Sequence, residues 1–145
     1  MSLRAACAAV ATIGLGIAAY LTIVHYTGSS PVCAISHGCE TVQKSRYAEV
    51  AGVPVALFGL LGYVAILLSL LRDDELWRTV TAVLALAGFA FSAWLTYAEI
   101  ALLNAICIWC VASAICMTVL AILSAVRMVA APVSVSQSTI ARPMT

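Results

Sequence analysis

Charge is what this sequence has least of. Of its 145 residues only 9% are Asp, Glu, Lys or Arg, while 64% are hydrophobic, and the mean hydropathy is +1.11. Soluble domains are roughly half apolar and about a quarter charged, so the composition excludes a soluble domain and defines an integral membrane protein. A net charge of +1 offers no basis for binding nucleic acid. No internal repeat is present beyond a succession of similar apolar runs.

Those runs are Ala5 to Val24, Val50 to Leu71, Thr79 to Ala98 and Ile100 to Val126, each without a charged side chain. Each supplies the ~20 residues that a helix rising ~1.5 Å per residue needs to cross ~30 Å of hydrocarbon. The first follows Arg4 like a signal peptide. It is longer than the ~7–15 apolar residues of such a segment, and no clear Ala-x-Ala site ends it, so a retained helix is expected. Four crossings leave no room for a soluble catalytic domain. The expected fold is an all-α, four-transmembrane-helix bundle over residues 1–131, with an extracytoplasmic loop containing a short interfacial helix. Pro132 is expected to end the last helix, and the Ser/Thr-rich residues 132–145 to form a disordered cytoplasmic tail.

Orientation follows the basic residues of the short loops. Four crossings put Arg4, Arg72, Arg78, Arg127 and Arg142 on one side, and Lys44 with Arg46 on the other. Five against two places both termini in the cytoplasm. The loop holding Cys33 and Cys39 and the pair Cys107 and Cys110 then both face outward, where disulfides persist.

Helix 1 is expected over about residues 5 to 26, with Tyr20, His25 and Tyr26 at the interface, before Thr27-Gly28-Ser29-Ser30-Pro31 breaks it. Glu40 to Val50 has the pattern of the short interfacial helix, with Cys39 at its start. Pro54 suits the first turn of helix 2, where its missing N–H costs nothing. Arg72-Asp73-Asp74-Glu75 reads as a tight turn whose acids favour the start of helix 3. Between Arg78 and Arg127 the sole charge is Glu99, so helices 3 and 4 must part near Glu99 to Ala105. That division sets Cys107 and Cys110 in the first turns of helix 4.

Of six cysteines, Cys7 and Cys116 lie inside helices and read as small buried hydrophobes. The other four carry chemistry. A Cys-x-x-Cys pair by itself suits zinc, haem attachment or thiol redox work. A thiol at a helix N-terminus faces the positive end of the dipole, which favours the thiolate, while apolar burial opposes it. Five residues separate Cys33 from Cys39, enough to bring their Cα atoms within the ~4.4–6.8 Å a disulfide demands, and Gly38 eases the return. An exposed pair beside a buried pair forms an electron relay by thiol–disulfide exchange. The competing reading is a thiolate metal site for zinc or copper(I), drawing on Cys33, His37, Cys39, Cys107 and Cys110. A structural bundle with incidental cysteines leaves the shared outer placement of both pairs unexplained. Glu99, beside Asn104, is either a functional group near the membrane or a water-facing interface residue.

Several segments together resemble the vitamin K epoxide reductase family, most closely its bacterial members. They are Ile13 to Thr22 ending in Tyr20-Leu21-Thr22, the Cys33 to Cys39 loop, Ser45, the run Gly52-Val53-Pro54-Val55-Ala56-Leu57-Phe58-Gly59, and Trp94-Leu95-Thr96-Tyr97 leading to Cys107-Ile108-Trp109-Cys110. The resemblance covers about residues 5 to 127. It implies a membrane oxidoreductase of the bacterial cytoplasmic membrane that reoxidises an extracytoplasmic thioredoxin-fold partner and passes two electrons to a quinone of the menaquinone or ubiquinone type. By position, Cys33 receives electrons from the partner, Cys39 and Cys107 form a transient disulfide, and Cys110 reacts with the quinone. Ser45 supports the loop helix or the quinone pocket. No metal is implied.

The quinone is expected among the outer halves of the helices, with Phe58, Phe89, Trp94 and Tyr97 as candidate walls alongside Cys110. Vertebrate members carry an amide near the position of Val55 and a tyrosine near Ala114. Their absence here points to simple quinone reduction, with vitamin K epoxide or quinone reduction proper as the alternative. Many relatives carry a fused thioredoxin-like domain, and the lack of one here implies a separate partner chain.

Overall fold

The structure is a computed structural model that describes residues 2–32 and 38–140, with side chains through residue 130. Helix α1 (Leu3–Thr27) begins where the Ser2 hydroxyl accepts the Ala5 N–H at 3.1 Å and ends at Gly28, whose φ of 66° is left-handed. Its buried stripe, Cys7, Ala11, Gly14, Ala18 and Leu21, alternates steps of four and three. Small side chains at that spacing let neighbouring helices approach closely.

Three more long helices follow: α3 (Val55–Ser69), α4 (Glu75–Tyr97) and α5 (Ile108–Ile140). Helix α1 packs on α3 and α5, and α4 packs on α5 and more sparsely on α3, which closes a four-helix ring. Tyr63 of α3 is fully buried against Gly14, where an added Cβ would stand 2.2 Å from its ring. Its hydroxyl donates to the Ser113 carbonyl of α5 at 2.9 Å, so one side chain joins three helices. Gly88 gives Met117 similar room, its absent Cβ being 2.7 Å from the sulfur.

This is the all-α membrane bundle expected. Helices Leu3–Thr27, Glu75–Leu103 and Ile108–Ala130 are long and apolar enough to cross a membrane. Helix α3 has 15 residues, about 22 Å at ~1.5 Å per residue, and so falls short of the expected Val50 to Leu71 crossing. It starts late because β1 (Glu49–Val50) and β2 (Val53–Pro54) pair as a hairpin, with Ala51 and Gly52 at φ 54° and 82°. Two consecutive left-handed residues make the primed turn that suits paired strands. Pro54 therefore precedes the helix and does not lie in its first turn.

The loop helix is also shorter than expected. Helix α2 (Gly38–Gln43) stops because the Ser45 hydroxyl takes the Val42 carbonyl at 2.7 Å, and a 3₁₀ turn (Arg46–Ala48) follows. Helix α5, by contrast, continues past Pro132 to Ile140. A proline removes one N–H and crowds one carbonyl, which can bend a helix without ending it.

Arginines gather at one end of the bundle. Arg4 donates to the Leu70 and Leu71 carbonyls at 2.7 and 3.0 Å, closing the C-terminus of α3. Asp73 accepts from Arg78 at 3.0 Å and from Arg127 at 2.8 Å. The Arg78 hydrogen bond, aided by Arg127, holds the Asp73 carboxyl down at about 2.

Candidate functional site

The opposite end is built by two backbone reversals. Helix α4 runs into a π-helical turn (Ala98–Leu103) that stops at Asn104, whose φ of 49° is left-handed. Asparagine tolerates that conformation better than most residues. The N–H groups of Asn104 and Ala105 both return to the Glu99 carbonyl, the second at 3.1 Å. The fold-back carries Cys107 over Glu99, and the Glu99 Oε2 accepts the Cys107 N–H at 3.1 Å. Both residues are buried, Glu99 being 3% exposed and Cys107 not at all.

Cys107 stands immediately before α5 and takes the place of an N-capping residue. Its Sγ accepts the Cys110 N–H at 3.4 Å, and its carbonyl accepts the Val111 N–H at 3.0 Å. A sulfur here does what a serine or aspartate oxygen does at other helix starts. The hydrogen bond with the Cys110 thiol comes first, and the backbone N–H groups of Cys110 and Trp109 add to it. Together they hold the Cys107 thiol below its ordinary range, against burial and the nearby Glu99.

Helix α2 brings Cys39 to the same place. An added Cβ on Gly38 would stand 2.3 Å from the Ile106 carbonyl oxygen, so only glycine lets the first turn of α2 lie on that backbone. The glycine serves a close approach and not a left-handed turn. Cys39 and Cys107, both fully buried, share one apolar cluster with Val42, and Leu103, Ala105, Ile108, Trp109 and Cys110 pack around it. Cys39 is disulfide-bonded, whereas Cys107 and Cys110 are free thiols. Cys33 and His37 lie outside the described residues.

Val32 is clamped through both of its backbone groups. Its N–H donates to the Tyr20 hydroxyl at 3.0 Å, and its carbonyl accepts the Trp109 Nε1–H at 2.7 Å. The Tyr20 and Trp109 rings meet with centroids 4.9 Å apart. The chain is thus tied to α1 and α5 one residue before Cys33.

Behind Cys110 lies a cavity of about 310 Å³, at the low end of the ~300–1,000 Å³ of small-molecule sites. It opens where α3 and α4 are most loosely packed, and its wall is mainly Ala, Gly, Leu and Phe. Cys110 lines it, and Cys107 does not. Cys107 is thus confined to the Cys39 cluster, and Cys110 bridges that cluster and the cavity.

Of the four aromatic wall candidates only Phe58 lines this cavity. Phe89, Trp94 and Tyr97 are absent from its lining, and Phe91, Tyr47 and Tyr63 stand in the wall. Glu99, the candidate functional charge, is in the wall, with polar neighbours that were not expected there. Gln43 and Tyr47 enter from the loop, and Ser92, Thr96 and Glu99 descend one face of α4 in steps of four and three. That stripe, in an otherwise apolar run, was the available signal. Ser45 is spent on the backbone of α2 and is absent from the lining. Among the described residues no three His, Cys, Asp or Glu side chains converge as a metal site.

An apolar bundle with a loop cysteine and a helix-capping thiol in one buried cluster, and a second thiol on a cavity wall, defines a membrane oxidoreductase that works through cysteines. The sequence model of the vitamin K epoxide reductase family matches residues 5–125, and the chain belongs to that family. Its members are membrane thiol–disulfide oxidoreductases that work with quinone-type electron partners.

Proposed function

We propose that this protein reoxidises a thioredoxin-fold dithiol outside the bacterial cytoplasmic membrane and passes the two electrons through two cysteine pairs to a quinone of the menaquinone or ubiquinone type. Both termini face the cytoplasm in this reading. The partner's dithiol reduces the Cys33–Cys39 disulfide. The Cys39 thiolate then attacks Cys107 Sγ, forming a Cys39–Cys107 bond and breaking the Cys107–Cys110 bond. Attack of Cys33 on Cys39 breaks the transient bond, which restores the loop disulfide and leaves Cys107 and Cys110 as thiols. The sulfurs must approach in line at each exchange.

The observation that carries this reading is the division of labour at the start of α5. Cys107 is buried with Cys39, and Cys110 lines the cavity. The largely apolar wall and the volume of about 310 Å³ suit a quinone ring, with Phe58, Phe91 and Tyr47 able to flank it. When bound, the quinone supplies a two-electron acceptor that takes up two protons. The residues of the chain bring Cys39 to Cys107, seat Cys107 on a helix N-terminus that favours its thiolate, and shield both from water.

Counting free thiols in purified protein tests the scheme. Addition of a quinone analogue to the fully reduced protein is expected to remove Cys107 and Cys110 thiols first and loop thiols next, and a thioredoxin-fold dithiol is expected to restore them. Stoichiometric zinc bound to thiols that no quinone oxidises would favour the metal-site reading instead.

A further inference from the structure

We propose that Glu99 carries the proton of the Cys110 thiol when the membrane pair is oxidised, a role that rests on the quinone-reduction reading above. Glu99 is 3% exposed, and it is the sole Asp, Glu, Lys, Arg or His among the described residues that line the cavity. One of its oxygens holds the Cys107 N–H at 3.1 Å, and the carboxylate also lies within reach of the Cys110 thiol. It therefore holds one member of the pair and shares with the other the space where the acceptor is to sit.

A purely structural role does not call for this residue type. The Cys107 N–H needs an oxygen acceptor, which a glutamine or asparagine supplies without placing an ionisable group inside a membrane protein at considerable cost. The one property that a carboxyl adds is the ability to take up and release a proton. The π-helical turn of Ala98–Leu103 serves that use, because it sets the Glu99 side chain on the cavity face of α4 below Ser92 and Thr96 while its carbonyl anchors the turn into α5.

The step balances as follows. Closing the Cys107–Cys110 disulfide forms one S–S bond, breaks two S–H bonds and releases two electrons and two protons. The quinone accepts both electrons and becomes the quinol. The Cys110 proton passes to a Glu99 carboxylate oxygen and from there to one quinone oxygen. The Cys107 proton is released to water at the outer face, and the second quinone oxygen takes a proton from water.

Glu99→Gln separates this role from the structural one, since the amide oxygen still accepts the Cys107 N–H. In the purified variant, exchange between an added dithiol and the two cysteine pairs, read without quinone, is expected to be no slower than in the wild type, because loss of the Glu99 charge favours the Cys107 thiolate. Single-turnover oxidation of the reduced pair by decylubiquinone is expected to slow about 100-fold, the scale of a lost general acid–base group. Infrared difference spectra of quinone-free wild-type protein, oxidised minus reduced, are expected to show a carboxylic acid C=O band from Glu99 holding the Cys110 proton, and Glu99→Gln abolishes it. Equal oxidation rates in the two proteins, or no such band, would overturn the proposal. Parallel loss of dithiol exchange and quinone oxidation would overturn it in favour of a positioning role. Failure of wild-type protein to react with any quinone would defeat the underlying reading, which the equal-rate result would leave standing.

Discussion

The Glu99 carboxylate accepts the backbone N–H of Cys107 at 3.1 Å, so the sole charged side chain between Arg78 and Arg127 fixes the first cysteine of the membrane pair. Removing the acceptor strands a buried donor, which costs about 1–3 kcal/mol. Glu99→Ala is expected to lower stability by that amount in chemical unfolding in mixed micelles, and Glu99→Gln by much less. Equal losses would mean that the hydrogen bond does not hold the turn.

Cys107 is expected to ionise at lower pH than an ordinary thiol, because the Cys110 thiol and the N-terminal N–H groups of α5 favour its thiolate. Below the lowered value the thiol form returns, so the thiolate ultraviolet absorbance should persist as pH falls past the ordinary thiol range. Comparison with Cys107→Ala assigns the signal. Cys110→Ala removes the leading hydrogen bond and should move the midpoint upward; an unmoved midpoint contradicts that cause.

Gly38→Ala is expected to disturb exchange more than folding. The added methyl meets the Ile106 carbonyl oxygen at 2.3 Å, and overpacking of this kind costs about 1–3 kcal/mol. If α2 relieves the clash by lifting away, the Cys39–Cys107 disulfide trapped in a Cys33→Ala, Cys110→Ala background should form about tenfold more slowly, since ~1.4 kcal/mol is a factor of ten. Non-reducing gels over time give the rate. An unchanged rate would show that the close approach is not needed for exchange.

At the centre of the bundle, Gly14→Ala forces Tyr63 off α1 and is expected to cost about 1–3 kcal/mol. Tyr63→Phe keeps the ring and loses the bond to Ser113, worth about 1 kcal/mol. Because both residues share one contact, Gly14→Ala with Tyr63→Leu should lose less than the sum of the single changes. Additive losses would argue against the three-helix joint.

Asp73 ties the two arginines at the far end, and its carboxyl is depressed from 3.8 to about 2. A depressed carboxyl contributes stability above its unfolded value that is lost as pH falls through the folded one. The wild type should therefore lose stability between about pH 4 and pH 2 more steeply than Asp73→Asn, in acid unfolding followed by tryptophan fluorescence. The side chain is 47% exposed, so solvent screening keeps the difference small. Identical acid limbs would remove the bridge from the stability of the fold.

Much of this was legible in the residues. Uncharged runs located all the long helices, and the sole charge at Glu99 located the turn that sets up Cys107, because charge is costly in hydrocarbon at any register. The start of α3 was not legible, since Val50-Ala51-Gly52-Val53 reads as apolar until two left-handed residues turn it into a hairpin. The cavity wall was harder still. Hydrophobicity does not separate Phe89, Trp94 and Tyr97, which stand off the cavity, from Phe91, which lines it, whereas the Ser92, Thr96, Glu99 stripe marks the cavity face directly. Gly38 was visible as a glycine, but the Ile106 backbone that requires it comes from a segment far along the chain.

The relay through both pairs is tested most directly by dithiol-dependent quinone reduction in purified wild type and in Cys33→Ala, Cys39→Ala, Cys107→Ala and Cys110→Ala. Cys7→Ala and Cys116→Ala serve as controls. Each of the four replacements is expected to abolish turnover while both controls retain it; a Cys107→Ala protein that still reduces quinone at the wild-type rate would contradict the relay.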